Sequence, residues 1–103
     1  MTVGVVASLP DFEVATTRWS RRCRQYYRDK IAGAGAQYIE LYGEDAIKSK
    51  VQAAMASPQN AILIGVGHGS MVRFTGQHYN TIYTTREPEE LDQLKGKCFA
   101  PVS

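Results

Sequence analysis

The sequence has little of several features that would define its class directly. Its 103 residues include only two cysteines, Cys23 and Cys98, which form neither a CxxC pair nor the disulfide framework of a small secreted protein. The apolar run at 2–7 lacks the basic leader of a signal peptide, and no run approaches the ~20 apolar residues that span a bilayer. With 12 basic and 10 acidic residues, the net charge of +2 gives no strong field for nucleic acid or anionic lipid. These absences predict a cytoplasmic protein with reduced thiols and with no nucleic-acid or membrane partner.

The sequence does contain an alternation of strand-like and helix-like segments. Buried strands appear as short apolar runs or two-residue alternation, and amphipathic helices as apolar residues three and four apart. Strands alternating with helices predict right-handed crossovers and a parallel sheet covered on both faces. We therefore expect one three-layer α/β domain over 1–103, or the N-terminal portion of a larger one, with a mainly parallel four-stranded sheet. The strands are predicted at Val3–Leu9, Gln37–Tyr42, Ala61–Val66 and Lys97–Ser103, and the helices at Val14–Ala32, Glu44–Ser57 and Pro88–Gly96.

Several finer predictions follow from the same patterns. The second strand is expected towards the side of the sheet and the third in its centre. Glu44 and Asp45 are expected in the first turn of the second helix, where acidic residues complement the helix dipole. A short hairpin is predicted in Gln77–Tyr83. The arginines between Arg18 and Arg24 are expected on the solvated side of the first helix. Its apolar side is predicted to consist of Trp19, Cys23, Tyr26, Tyr27 and Ile31.

The most informative residues are Gly67-His68-Gly69-Ser70, which follow the third strand directly. Functional groups of parallel α/β proteins gather outside the carboxyl ends of the strands, where His68 is expected. The flanking glycines let the backbone turn sharply and approach a ligand, and a histidine there can act as an acid or base near neutral pH. A histidine that only packs in a tight turn is the competing interpretation.

The segment from Ile62 to Ser70 resembles the His-Gly strand of caspase-like cysteine peptidases, a superfamily that includes caspases, legumains, gingipains, separases and CHAT-type peptidases. In that superfamily a short helix and a further parallel strand follow, and the nucleophilic cysteine lies just after that strand. Here Glu89–Gly96 and Gly96–Ser103 resemble this helix and strand. The resemblance implies a hydrolase, a cysteine endopeptidase whose catalytic histidine is His68 and whose cysteine lies beyond Ser103, with proteolytic processing or truncation as explanations of the ending.

The resemblance also implies roles for three neighbouring positions. The amide of Gly69 is expected among the groups that stabilise the oxyanion. Ser70 and Asp11 are candidate substrate-binding residues, and an acidic pocket containing Asp11 would favour Arg or Lys. The competing interpretation of Asp11 is a turn residue or helix cap.

Neither cysteine of the chain fits the role of nucleophile. Cys98 begins the last predicted strand, about five residues or roughly 16 Å from its carboxyl end, and therefore at the opposite end of the sheet from His68. Cys23 is expected to be a small buried hydrophobe on the first helix. His68 and His78 have no ligand spacing typical of a metal site, so neither metal nor cofactor is expected.

The predicted partners are a peptide or protein substrate and a second chain or segment. An unpaired last strand would favour pairing with that segment, or a homodimer. The alternative function is a non-catalytic, flavodoxin-like α/β binding or interaction domain, in which the Gly67–Ser70 loop binds a small anion. Both alternatives remain open at the level of sequence.

Overall fold

A computed structural model describes residues 3–70 and 73–102 and confirms the predicted α/β class. Four parallel strands form one sheet in the order β2-β1-β3-β6, and two short antiparallel strands form a separate hairpin. The strands are β1 (Gly4–Leu9), β2 (Gln37–Tyr42), β3 (Asn60–Val66), β4 (Arg73–Thr75), β5 (Thr81–Thr84) and β6 (Cys98–Val102); the helices are α1 (Val14–Gly33), α2 (Lys48–Met55) and α3 (Pro88–Leu91). Short 3-10 turns occupy Gly43–Asp45, Gln77–Tyr79 and Asp92–Leu94.

The two apolar central strands separate two cores. One core contains Val6 and Leu63 of the sheet, Val51 and Met55 of α2, and the hairpin residues Phe74, Ile82 and Tyr83. The other contains Val5, Ala7, Leu9, Ile64 and Val66, against Cys23 of α1. This alternation along β1 and β3 is the two-residue period of a strand buried on both faces. The described part of the chain has no helix long and apolar enough to cross a membrane.

The register of the sheet places the carboxyl ends of its four parallel strands at one end of the sheet. Val6 of β1 lies opposite Leu63 of β3, and Val66 of β3 lies opposite Val102 of β6. β2 is an edge strand of this sheet, as its half-buried pattern predicts, and β6 is the other edge strand. The loops after β1, β2 and β3 therefore meet at the carboxyl end of the sheet.

The first helix confirms its predicted bounds, and Cys23, Tyr27 and Ile31 of its predicted apolar side pack in the core, but Trp19 and Tyr26 do not. Its buried residues are Thr16, Ser20 and Cys23, whereas Trp19 is 44% exposed and Tyr26 is 57% exposed. The buried side chains of α1 are therefore small, and Ser20 Oγ donates a 2.6 Å hydrogen bond to Pro10 O. α1 ends where Gly35 adopts a φ of +81°, a conformation that glycine tolerates.

The second helix begins later than predicted. Glu44 and Asp45 belong to a separate 3-10 turn, and α2 has no acidic residue in its first turn. The carbonyl oxygen of Ala46 accepts a 2.8 Å hydrogen bond from Gln77 N, so the backbone there serves a tertiary contact. Tertiary bonding of this kind overrides the helical pattern.

The hairpin is present, but Gln77–Tyr79 forms its turn rather than a strand. β4 and β5 pair antiparallel on either side of that turn. The sequence pattern indicated a hairpin correctly, but it contained no sign of the backbone conformation at the turn.

Candidate functional site

His68 lies at the carboxyl end of β3 because the hairpin holds its backbone there. The oxygen of His68 accepts hydrogen bonds from Thr75 N at 2.9 Å and Thr75 Oγ1 at 2.6 Å. Gly67 permits this approach, since a Cβ at Gly67 would lie 2.2 Å from Thr75 O. The glycine before the histidine is thus required by close packing against β4.

The imidazole of His68 is paired with the carboxylate of Glu13, the residue that directly precedes α1. His68 Nε2 is hydrogen-bonded to Glu13 Oε1, and the two side chains are 46% and 30% exposed. Tyr79 donates its hydroxyl proton to Glu13 Oε2 at 3.3 Å. A carboxylate only accepts, so this contact keeps a proton on Nε2 and leaves Nδ1 as the nitrogen that can take up or release one.

Two aromatic rings, those of Phe12 and Tyr79, lie beside His68. The rings of His68 and Tyr79 have centroids 5.1 Å apart at an angle of 30°, and Phe12 lies 4.9 Å from Tyr79 and 6.3 Å from His68. These rings limit the orientations open to the imidazole. His68 is therefore oriented by a carboxylate and by ring contacts while about half of its side chain stays in contact with solvent.

A buried glutamine connects the loops after β1 and β2. Gln77 is 2% exposed; its Oε1 accepts from Asp11 N at 2.8 Å, and its Nε2 donates to Asp11 Oδ1 at 3.0 Å and Glu44 Oε1 at 3.1 Å. His78 Nε2 also lies 3.0 Å from Glu44 Oε1. The hydrogen bond from Gln77, and then that from His78, lower the pKa of Glu44 below its usual value.

The turn that bears Tyr79 has an unusual backbone. His78 and Tyr79 have φ angles of 52° and 59°, the left-handed region, which costs an L-residue about 1–2 kcal/mol. Hydrogen bonds to neighbouring segments hold the turn: Gln77 N donates to Ala46 O at 2.8 Å, and Asn80 Oδ1 accepts from Lys48 N at 2.8 Å. Gly76 also packs so closely on Ala46 that a Cβ there would lie 2.1 Å from Ala46 O. Strain maintained in this way is concentrated at functional sites.

The four predicted site residues lie at the carboxyl end of the sheet, in different surroundings. Gly69 forms an isolated antiparallel bridge with Phe74, flanked by hydrogen bonds on both sides. In such a pair the N–H of Gly69 is directed away from β4. Asp11 is a turn residue bonded to Gln77, and the residue that caps α1 is Glu13.

Ser70 and Asp11 line two depressions in which basic side chains are prominent. Ser70 borders one of about 580 Å³ together with Lys48, Arg73 and Arg86. Asp11 borders another with Glu13, Arg18, Arg21 and Arg22. The arginines beside Asp11 give no support to a pocket that selects Arg or Lys.

Observations at the loop bear on the anion-binding alternative in both directions, since Lys48, Arg73 and Arg86 beside Ser70 would attract an anion. The amides of Ser70 and Thr75 donate to backbone carbonyls, and the carboxylate of Glu13 lies against His68. The residues 3–70 and 73–102 include no group of three or more His, Cys, Asp or Glu side chains that could hold a metal ion.

The two cysteines lie where the sequence predicted. Cys23 is 7% exposed, and burial raises the pKa of its thiol. Cys98 is exposed and pairs in register with Ile62, near the beginning of β3, so it lies at the amino end of the sheet.

Sequence reasoning did not identify Glu13, Tyr79, Phe12 or Gln77. The signal for Glu13 was available, because the rule that selected Asp11 applies equally to every residue of the loop after β1. No comparable signal existed for Tyr79, whose position depends on a left-handed turn.

Fold and site together define a parallel α/β domain with an oriented histidine–carboxylate pair at the carboxyl end of its sheet. No protein-family model, curated protein or solved structure matches the chain.

Proposed function

We propose that this chain belongs to a caspase-like cysteine endopeptidase, in which His68 is the general acid/base and the nucleophile is a cysteine on a segment that follows β6. The observation that supports this most is the pairing of β6 with β3, with Val102 opposite Val66. Adjacent parallel strands lie about 4.8 Å apart, so a residue that directly follows β6 would lie beside the loop that contains His68.

The proposed reaction begins when the thiolate attacks the carbonyl carbon of a peptide bond. A C–S bond forms and the carbonyl π electrons move to oxygen, where backbone amides including that of Gly69 stabilise the negative charge. His68 then protonates the departing amine, which leaves an acyl-enzyme. Water attacks the acyl carbon while His68 accepts its proton, and the thiolate is released.

The environment of His68 suits this role. Glu13 accepts a hydrogen bond from Nε2 of His68, so Nδ1 is available to exchange the proton with the thiol and the leaving amine. Glu13 is a positioning residue in this scheme, and Tyr79 holds Glu13 in place. The outward amide of Gly69 supports its proposed part in the oxyanion site.

The remaining parts of the proposal concern substrate, partner and location. The substrate is a peptide or protein, and Ser70 and Asp11, its candidate binding residues, each border a separate depression. A second segment pairs with β6, whose outer side is unpaired among the described strands. A cytoplasmic location agrees with two cysteines that form no disulfide.

The first experiment asks whether His68 can activate a cysteine in the proposed position. A single cysteine is added after Ser103 in a Cys23→Ala, Cys98→Ser background, and its alkylation by iodoacetamide is followed at pH 6. We expect alkylation at least about tenfold faster than in the same protein with His68→Gln, because a neighbouring imidazolium favours the reactive thiolate. His78→Gln is the matched control, since His78 lies on the same end of the sheet but pairs with Glu44.

Equal alkylation rates with and without His68 would contradict the proposal. In parallel, sequencing of the native transcript and the intact mass of its product show whether a cysteine follows β6. If it does, His68→Ala should abolish labelling of that cysteine by an activity probe for cysteine peptidases.

A further inference from the structure

The outward face of the β4–β5 hairpin borders a depression that segments distant in sequence line together. Phe74 and Tyr83 of the hairpin are buried in the core, so their neighbours Arg73 and Thr84, which pair in register, lie on the opposite face. The depression has a volume of about 580 Å³. It is lined by Lys48 at the start of α2, by Ser70, Arg73, Thr81 and Thr84, and by Arg86 and Glu87 after β5. We term it the hairpin depression, and tertiary packing rather than any one helix forms it.

Two arginines are neighbours in the hairpin depression. Arg73 lies opposite Thr84, where the Cβ atoms of a cross-strand pair are about 4.5–5.5 Å apart. The chain then turns around Thr84, because Arg86 N donates to Thr84 Oγ1 at 3.2 Å and Glu87 N donates to Thr84 O at 3.1 Å. Arg73 and Arg86 are thus both adjacent to Thr84. Like charges on adjacent positions destabilise a sheet, so this arrangement favours a ligand whose negative charge offsets the repulsion.

The carboxylates that follow in the sequence do not neutralise these arginines. Glu90 Oε1 lies 2.9 Å from Lys48 Nζ, and Glu90 Oε2 accepts from Gln52 Nε2 at 2.7 Å. The hydrogen bond with Glu89, and then the charges of Glu89 and Glu90, raise the pKa of Glu87. Within residues 3–70 and 73–102, no carboxylate forms an ion pair with either guanidinium. Negative charge is therefore close at hand in the sequence, but the fold directs it elsewhere.

Lys48 provides a third cation from the opposite wall. Its backbone N–H donates to Asn80 Oδ1 at 2.8 Å, and its ammonium is paired with Glu90, so both ends of the residue are held. An ammonium has three N–H donors, which leaves two for a ligand. The positive charges without a carboxylate partner are thus those of Arg73 and Arg86, and two such charges match a dianion.

The donors match a phosphate group better than a carboxylate. A phosphate monoester has three terminal oxygens and a charge of about −1.5 to −2 at pH 7, whereas a carboxylate has two oxygens and one charge. A guanidinium binds phosphate through two parallel N–H···O bonds, and a lysine binds it as a point charge. Small-molecule sites have volumes of about 300–1,000 Å³, so the hairpin depression also has room for an organic part attached to the phosphate.

We propose that the hairpin depression binds the phosphate group of a small phosphorylated compound. The guanidiniums of Arg73 and Arg86 bind the phosphate oxygens, and the ammonium of Lys48 adds a third donor. The cations are side chains of β4, of α2 and of the turn after β5, so the site does not depend on the backbone amides of Gly67–Ser70. The inference is independent of the proposed peptidase function, because neither His68 nor a cysteine takes part.

Titration of the isotope-labelled chain with phenyl phosphate, followed by NMR at neutral pH and physiological ionic strength, provides the test. We expect saturable shifts of the amide signals of Arg73, Thr84 and Arg86. The affinity should be at least about tenfold higher than for benzoate, which has the same ring and a single negative charge. Absence of saturable shifts, equal affinity for the two ligands, or shifts confined to the arginines of α1 would overturn the proposal.

A charge-matched pair of double variants locates the ligand. Arg73→Gln with Arg86→Gln should weaken phenyl phosphate binding at least about tenfold, because both bidentate donors are lost. Arg28→Gln with Lys95→Gln removes the same charge outside the hairpin depression, and the affinity should change less than about twofold. All four side chains are exposed, so both double variants should fold. Equal weakening in the two would mean that net charge alone attracts the phosphate, which contradicts a defined site.

Further ligands identify the source of the phosphate group. Glycerol phosphate should compete with phenyl phosphate, and a phosphoserine peptide should bind no more tightly than free phosphoserine. A peptide that binds at least about tenfold more tightly than the free amino acid would indicate a phosphorylated protein instead, and would overturn the proposal. Loss of phenyl phosphate binding in the native full-length product would show that a segment of the same protein fills the depression, which would also overturn it.

Discussion

The two ends of the sheet use polar side chains differently. At the amino end, polar side chains bond to backbone: Asn60 Nδ2 donates to Ala54 O at 2.8 Å, and Lys97 Nζ donates to Met55 O and Ser57 O. At the carboxyl end side chains also bond to one another, as in His68 with Glu13 and Gln77 with Asp11. Only about 10–15% of protein hydrogen bonds join two side chains, so their concentration at one end is informative.

The difference separates an end where side chains bond to backbone from the end where the proposed site lies. Side chains that bond to backbone terminate helices and strands, and the amino end needs nothing more. At the carboxyl end, ionisable groups orient one another above a strained turn at His78 and Tyr79. We therefore expect substitutions at the two ends to have different consequences.

The largest effect should follow Gly76→Ala at the carboxyl end. Its Cβ would lie 2.1 Å from Ala46 O, a backbone atom, and overpacking of this severity costs about 3 kcal/mol. Urea denaturation measures the loss as a lower midpoint. Gly33→Ala is the matched control: nothing lies within 4 Å of its Cβ, and α1 should be unchanged or slightly more stable. Equal stability of the two variants would show that the loop moves to accommodate the added Cβ at position 76.

Gln77→Met should disrupt the link between the loops after β1 and β2. The loss of three hydrogen bonds around a buried amide should cost about 1–3 kcal/mol. Because Gln77 is the main cause of the lowered pKa of Glu44, that pKa should rise, as measured by carbon-detected NMR titration. His78→Gln should raise it less.

The sign of the pH dependence follows from the same pKa. A carboxyl whose pKa is lowered in the folded state stabilises the fold above its unfolded pKa of about 4.3, and this contribution is lost as the pH falls through the folded pKa. The native protein should therefore lose stability more steeply on acidification than Gln77→Met does. Parallel acid denaturation curves would contradict this assignment.

A smaller effect tests the amino end. A Cβ at Gly4 would lie 1.8 Å from Asn60 Oδ1, so Gly4→Ala should destabilise by about 1–3 kcal/mol. In the Asn60→Ala background that oxygen is absent, and the double variant should lose at least about 1 kcal/mol less than the sum of the single losses. Additive losses would mean that the asparagine moves away freely.

The smallest effect is expected for His78→Gly. Glycine tolerates a φ of 52°, which relieves about 1–2 kcal/mol, but it also increases unfolded-state entropy by about 0.5–1 kcal/mol. The variant should be unchanged or up to about 1 kcal/mol more stable by thermal denaturation. Asn80→Gly, at a φ of −59°, should instead destabilise. A destabilised His78→Gly would show that the histidine contacts outweigh the strain.

The sequence predicts the sheet well because its strands are long apolar or alternating runs with distinct periods. β2 and α1 appear at their predicted positions, and the carboxyl-end rule places His68 correctly. Trp19 is exposed because helical spacing identifies apolar residues but not which of them the sheet covers. The start of α2 and the partner of His68 depend on contacts between distant segments, from Gln77 to Ala46 and from Glu13 to His68, which local patterns do not encode.

The strand order also has a consequence for the time course of folding. β1 pairs with both β2 and β3, so a three-stranded sheet can assemble from residues 4–66 alone, whereas β3 is the one described strand with which β6 pairs. Non-local pairing is slow because a long loop must close first. During synthesis, the loop that contains His68 is therefore in place before β6 can join the sheet.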